Sequence, residues 1–186
     1  MIIQSPLVSI TQAFDETQLK NGVYIVVIHA TRTPPHIGLI IGGNYHSLSV
    51  KGHDINTSTA ALIKNCVQRK IRSLFIKIKA HTTFSESYQK EHFISNIKQF
   101  PKVDIGVATC LSPIKLFFNE VYNVPLKNIN YLFELIPLLY SEQLIETTTA
   151  LFIDEQQFVL PIYTQAEINK GIQDVKNLTT SLKQNS

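Results

Sequence analysis

The residues of this chain best suited to nucleophilic chemistry are its two cysteines, Cys66 and Cys110, and their sequence contexts differ. Cys110 follows an apolar, strand-like run and directly precedes a helix start, where Ser112 fits an N-cap and Pro113 fits the first helical residue. A thiol at a helix N-terminus lies beside free backbone N–H groups and the positive end of the helix dipole, which favour the thiolate and lower the thiol pKa. Cys110 therefore has the setting of a cysteine nucleophile, which inert buried cysteines also share, whereas Cys66 lies on the apolar side of a predicted helix.

A cysteine nucleophile needs a base to accept its proton, and histidine is the usual one. The strongest candidate is His36, which begins a predicted strand directly after a Pro-Pro pair, with Gly38 on the same strand face leaving space beside the imidazole. This pattern fits a base and a structural strand-edge histidine equally well. His81 and His92 fit surface positions, His29 a structural or solvent-facing one, and His53 a loop without an orienting partner.

The elements that must position these side chains begin with three predicted strands. Val23–Ile28 is a nearly continuous β-branched and aromatic run, which predicts a strand buried on both faces. His36–Ile41 is the second strand, the Gly42-Gly43-Asn44 segment is a hairpin turn, and Tyr45–Val50 is the third strand. Lys51–Asp54 is predicted to leave the sheet.

The rest of the chain alternates predicted helices and strands. The cysteine helix is preceded by a short strand, and Pro137 should kink or divide the helix in which it lies. The predicted elements are a helix from Thr57 or Ser58 to Arg72, an alternating strand from Phe75, a helix from Ser85 to Gln99, a strand over Val103–Val107, a helix over Ile129–Leu144, strands over Ala150–Ile153 and Phe158–Tyr163, and an amphipathic helix over Gln165–Lys183. The sequence thus predicts one α+β domain over residues 1–186, an antiparallel sheet with a cysteine-bearing helix packed on it.

Composition and charge narrow the function classes. The chain has 186 residues, of which 44% are hydrophobic and 17% charged, as a globular domain does. A net charge of +3 with scattered lysines predicts no nucleic-acid partner, and no Cys/His spacing or Gly-rich loop indicates a metal or a phosphate cofactor. The absence of a long apolar run and of a signal-peptide pattern predicts a cytoplasmic protein with no transmembrane segment, which argues against a disulfide. The sequence does not indicate an oligomeric state.

The order of these motifs resembles a known family. Pro35-His36-Ile37-Gly38, the Gly42-Gly43-Asn44 hairpin and, later in the chain, Thr109-Cys110 at a helix start resemble the circularly permuted papain-like fold. This superfamily includes NlpC-type cell-wall peptidases and the lecithin–retinol acyltransferase group, in which a His-x-Gly-hydrophobic strand and hairpin precede the cysteine helix. The resemblance covers residues 20–122, so that residues 123–186 are additional helices and strands. Gly22-Val23 departs from the Gly-Asp of many members, and Thr109-Cys110-Leu111-Ser112 departs from the Asn-Cys element of the acyltransferase branch.

The resemblance implies that Cys110 is the nucleophile and His36 the base of a hydrolase or acyltransferase. The thiolate would attack an amide or ester carbonyl to form an acyl-enzyme, with the Cys110 N–H helping to stabilise the oxyanion. Cell-wall peptides, lipid esters or amides, and protein conjugates all fit as substrates. The alternative is a catalytically inactive domain of the same fold that binds a ligand or a protein, which the two departures and the apolar Tyr131–Tyr140 stretch favour.

The third polar residue of the family, which orients the histidine, lies on the next strand, and its identity depends on the hairpin register. A three-residue Gly42-Gly43-Asn44 loop would place His46 on the same face as His36. A two-residue loop would instead present Tyr45 or Ser47. We favour the longer loop and predict His46 as the third catalytic residue.

Overall fold

The computed structural model describes residues 5–184, with side chains described up to residue 180. The strands in this range are β1 (Leu7–Ser9), β2 (Val23–Ile28), β3 (His36–Ile41), β4 (Asn44–Ser49), β5 (Gly52–Ser58), β6 (Ser73–Ile78), β7 (Ile145–Leu151) and β8 (Gln157–Val159). The α-helices are α1 (Thr59–Gln68), α2 (Glu86–Lys98), α3 (Leu111–Tyr122), α4 (Leu132–Ser141) and α5 (Gln165–Gln184), and a 3₁₀ helix covers Glu16–Lys20.

The six strands β2–β7 form one sheet in the order β5-β4-β3-β2-β6-β7, and every neighbouring pair is antiparallel. β1 and β8 pair separately as a two-stranded antiparallel sheet. The prediction of an α+β chain with an antiparallel sheet is confirmed. No helix among residues 5–184 is long and apolar enough to cross a membrane.

Both faces of the large sheet are covered, which explains the continuous apolar run of β2. On one face, Ile25 and Leu39 pack in a core with residues of α2, α3, α4 and α5. On the other face, Val26 and Ile40 pack against α1, where Cys66 is fully buried. Cys66 is therefore core packing, as predicted, and a whole sheet separates it from α3.

The hairpin between β3 and β4 has a two-residue loop, so the predicted three-residue loop is wrong. Ile41 pairs with Asn44 and Leu39 pairs with His46. Gly42 and Gly43 both have positive φ, 54° and 77°, as the two central residues of a type I′ turn require. Because side chains alternate along a strand, the shorter loop moves every residue of β4 to the face opposite the predicted one.

Two further segments, one before α3 and one between β4 and β5, also differ from prediction. Val103–Val107 is not a strand, since only one bridge, Asp104 to Ala108, forms around Gly106 at φ 71°. Lys51–Asp54 does not leave the sheet, because β5 begins at Gly52 and returns along β4 as its edge partner.

Pro137 does not divide its helix, which remains continuous as α4. The Glu134 carboxylate accepts the backbone N–H of Tyr131 at 3.2 Å and so supplies an N-terminal cap. Leu135 and Leu139 are fully buried. Capping and apolar burial thus offset the hydrogen bond that proline removes.

Candidate functional site

A cavity of about 710 Å³ lies where the start of β3, the start of α3 and the side of α5 meet. It brings together Cys110 and His36, which lie far apart in the sequence. Aliphatic side chains, including Val50, Val103 and Ile172, line it together with charged ones, Arg32, Lys51 and Asp174. The cavity thus has aliphatic and charged walls, with one thiol and the imidazoles of His29 and His36 among its lining groups.

Cys110 lies directly at the N-cap position of α3, which begins two residues earlier than the Pro113 start that the sequence predicts. Ser112 is therefore not the N-cap. Its hydroxyl oxygen instead accepts the Thr109 N–H at 3.0 Å, while the Thr109 hydroxyl oxygen accepts the Leu111 N–H at 3.2 Å. These two bonds satisfy backbone donors near the helix start and hold the turn that carries the thiol.

The electrostatics of the Cys110 thiol combine two opposing effects. Burial raises its pKa, and hydrogen bonding from the backbone N–H groups of Ile37, Cys110 and Leu111 opposes that rise. The net pKa is raised, so the expected lowering by the helix start is outweighed by desolvation. At neutral pH Cys110 is a protonated thiol, and the nearby backbone N–H groups favour its thiolate form.

His36 begins β3, and its Nε2 lies 3.2 Å from the Ser47 hydroxyl oxygen of β4. Burial lowers the imidazole pKa to about 4, with the Asp54 carboxylate opposing and His29 reinforcing this direction. His36 is therefore neutral at pH 7, with a lone pair on one ring nitrogen, and is a weaker base than an unperturbed imidazole. None of the described residues forms a hydrogen bond with its Nδ1.

Cys110 and His36 approach the cavity from different faces of the sheet. Ile37, beside which Sγ lies, packs in the core with α3. His36 bonds to Ser47, which lies on the same face as Tyr45, the face that α1 covers. Within the described part of the chain no hydrogen bond links Sγ to the imidazole, so both groups border one cavity without a direct bond.

His46 does not lie beside His36, and the prediction of a shared face is wrong because of the two-residue hairpin. The structure places His46 on the opposite face, fully buried, with its ring edge-on to Phe93 at a centroid distance of 6.4 Å. Its Nδ1 accepts the backbone N–H of Asn56 at 3.1 Å. Ser47, the alternative that the shorter loop predicts, is the β4 residue that contacts His36.

Two further residues at the site were missed from the sequence. His29, interpreted as structural or solvent-facing, lines the cavity. The available signal was its place directly after Ile28, which pairs with His36. Asp54 lies opposite Ser47 on β5 and was missed because its segment was predicted to leave the sheet.

No group of three or more His, Cys, Asp or Glu side chains within residues 5–180 is arranged to hold a metal ion. Comparisons of the chain with protein-family models, curated proteins and solved structures find no match. The function must therefore be inferred from the residues around the cavity and their geometry.

Proposed function

We propose that this protein is a cysteine hydrolase or acyltransferase of the permuted papain-like type, with Cys110 as nucleophile and His36 as base. One observation carries the proposal: a thiol at the N-cap of α3, beside backbone N–H groups that favour its thiolate, shares a cavity with a neutral imidazole. Ser47, which contacts His36 Nε2, takes the place of the third polar residue.

The charge states at neutral pH favour general-base activation of a thiol over a preformed thiolate–imidazolium pair. Burial raises the Cys110 pKa and lowers the His36 pKa to about 4, so both groups are neutral. His36 Nδ1 would accept the thiol proton as Sγ attacks a carbonyl carbon, and backbone N–H groups would stabilise the developing oxyanion. The imidazolium would then protonate the leaving group, and water or another acceptor would resolve the thioester.

The lining of the cavity favours a substrate with an apolar group next to the scissile amide or ester carbonyl. Aliphatic side chains of α5, Ile168, Ile172 and Val175, face this space together with Val103. Burial of apolar surface contributes about 25 cal/mol per Å² of substrate removed from water. An acyl chain or an apolar amino-acid side chain fits this aliphatic part of the lining, and Arg32, Lys51 and Asp174 also line the cavity.

The proposal is tested by covalent labelling with electrophilic acyl probes, one carrying a short peptide and one an aliphatic chain. We expect the wild-type protein to be labelled, Cys110→Ala to lose labelling, and His36→Ala to react far more slowly. Cys66→Ala is the matched control, since Cys66 is buried on the other side of the sheet. Equal labelling of wild type and Cys110→Ala would overturn the assignment of the nucleophile.

The second candidate is a binding domain without catalysis. It is favoured by the missing hydrogen bond between the thiol and the imidazole within the described residues, and by the raised Cys110 pKa. An apolar fluorescent dye that binds wild type and Cys110→Ala equally, with no acyl-probe labelling of either, would support this function instead.

A further inference from the structure

The edge strand β5 carries a bulge beside the Ser47–His36 contact. Tyr45 pairs with Thr57, and two residues later on β4 Ser47 pairs with Asp54, three residues away on β5. Regular pairing counted from Tyr45 would place Ile55 opposite Ser47. The extra residue of β5 therefore replaces an apolar side chain with a carboxylate at this position.

His46 supports this bulge. Asn56, within the bulge, has φ 60°, and its backbone N–H donates to Nδ1 of His46 at 3.1 Å. The His46 ring is fully buried, so its position is fixed by the packing around it. A bulge leaves a backbone donor without a ladder partner. His46 supplies the missing acceptor from the far face of the sheet.

Asp54 is held in place and acts electrostatically on His36. The Thr57 hydroxyl donates to Asp54 Oδ1, which fixes the carboxylate on the face that Ser47 also occupies. The Asp54 charge opposes the burial that lowers the His36 pKa. Among the described residues no hydrogen bond joins Ser47 to Asp54, so the carboxylate acts on the hydroxyl through its charge, from the position on β5 that pairs with Ser47.

Resting on the function proposed above, we propose that Asp54 is a positioning residue that selects the His36 tautomer through Ser47. A serine hydroxyl can donate or accept, so Ser47 alone does not decide which ring nitrogen carries the proton. The negative charge of Asp54 on the paired strand favours the rotamer in which the hydroxyl hydrogen points toward Asp54 and the oxygen accepts from His36 Nε2–H. The proton is then on Nε2, and Nδ1 is the nitrogen that accepts the Cys110 proton.

Other titratable and charged groups also line the cavity that His36 borders. His29 at the end of β2 lowers the His36 pKa, Cys110 borders the same cavity, and the Arg32 and Lys51 cations also line it. The Tyr45 hydroxyl is a further titratable group near Ser47 and also senses the Asp54 charge, and Asp54 is the β5 residue that pairs with Ser47.

The experiment is long-range ¹H–¹⁵N NMR of the histidine rings at pH 7, which reports the protonated nitrogen without requiring activity. We expect His36 to be the Nε2–H tautomer in the wild-type protein and to become a mixture of tautomers in Asp54→Asn and Ser47→Ala. Asp154→Asn, the same charge change at an exposed turn, is the matched control and should keep the wild-type tautomer. An unchanged Nε2–H tautomer in both Asp54→Asn and Ser47→Ala, or an Nδ1–H tautomer in the wild type, would overturn the proposal.

Two conservative variants keep the test valid where Asp54→Asn fails to fold. Thr57→Val frees the carboxylate without changing its charge and should shift the tautomers part of the way, whereas His46→Asn keeps an acceptor for the Asn56 N–H and should shift them little. If the acyl probes do not label the wild-type protein but the tautomer shifts in Asp54→Asn and Ser47→Ala, the proposed function alone is rejected. Labelling at Cys110 with no tautomer shift would reject the role of Asp54 alone.

Discussion

At the scale of single residues, the protonation state of the Cys110 thiol determines its reactivity at neutral pH. The backbone N–H groups of Ile37, Cys110 and Leu111 favour the thiolate, but burial outweighs them and raises the thiol pKa. We expect the alkylation rate of Cys110 by iodoacetamide to rise steadily through alkaline pH, because only the thiolate reacts. Mass spectrometry of the Cys110 peptide measures this rate separately from Cys66. A rate that is already constant below pH 7 would show instead a lowered pKa and a preformed ion pair.

The two histidines of the β3–β4 hairpin predict how stability depends on pH. Burial lowers the pKa of His36 and of His46 to about 4, below the ordinary value of 6.5. As pH falls from 6.5 toward 4, the unfolded chain therefore binds protons that the folded protein does not. The stabilisation is complete above pH 6.5 and is lost on acidification, on the order of 2–3 kcal/mol per residue.

Denaturant unfolding between pH 7.5 and 4.5 measures this loss in the free energy of unfolding. We expect His46→Asn to reduce the loss by about 2 kcal/mol, because it removes one titrating ring while keeping an acceptor for the Asn56 N–H. His53→Asn controls for removal of an exposed imidazole. An unaltered pH slope in His46→Asn would contradict the buried, neutral state of this ring.

At the scale of elements, the strongly patterned strands could be predicted and the exact register could not. The apolar run of β2, the start of β3 at His36 and the Ser58 and Ser85 caps of α1 and α2 follow from local residue types. A one-residue difference in a Gly-Gly turn leaves the apolar pattern of the hairpin unchanged but moves His46 to the other face.

The position of Asp54 on β5 could not be predicted from the sequence, for a different reason. Most of its residues are polar and partly exposed, so no alternating pattern marks the strand. The bulge that brings Asp54 opposite Ser47 is stabilised by His46, and this contact crosses strands. By contrast, Cys110 and His36 could be chosen from their places at a helix start and a strand start, and the structure brings both to one cavity.

Gly38 tests the packing between β3 and β4. The sequence predicted that Gly38 leaves space beside His36, and in the structure the adjacent strand fills that space. A Cβ at Gly38 would lie 2.6 Å from Tyr45 Cε2 and 2.7 Å from the His46 carbonyl oxygen. We expect Gly38→Ala to lower the free energy of unfolding by about 1–3 kcal/mol, because the backbone oxygen cannot move aside cheaply. Denaturant titration measures the change.

Gly171 in α5 is the control for this substitution. Its nearest contact would be Pro34 Cδ at 3.3 Å, and alanine favours a helix by about 1 kcal/mol over glycine. Gly171→Ala should therefore be nearly neutral. A cost at Gly38 no larger than that at Gly171 would contradict the close packing of Tyr45 against β3.

At the scale of the whole molecule, α5 joins the end of the chain to the cavity that Cys110 borders. One attachment is ionic, since Lys176 Nζ lies 2.5 Å from Asp104 Oδ1. Both side chains are about one-third exposed, and pairs of this kind contribute at most about 1 kcal/mol. The other attachment is apolar, through Ile168 and Ile172, which are buried in the same core as α3. Apolar burial is thus the stronger of the two.

Substitutions of Ile172 and Leu178 distinguish the effect of α5 packing from the effect of lining the cavity. Both line it, but Ile172 is 5% exposed and Leu178 is 66% exposed. We expect Ile172→Ala to lower the free energy of unfolding by about 2–4 kcal/mol and to increase the alkylation rate of Cys110, because the loosened helix opens one wall. Leu178→Ala should change stability by no more than about 0.5 kcal/mol and leave the alkylation rate nearly unchanged. Denaturant unfolding and peptide-resolved alkylation, measured on the same samples, distinguish the outcomes. A destabilised Ile172→Ala with wild-type alkylation would mean that α5 supports the core without limiting access to the thiol.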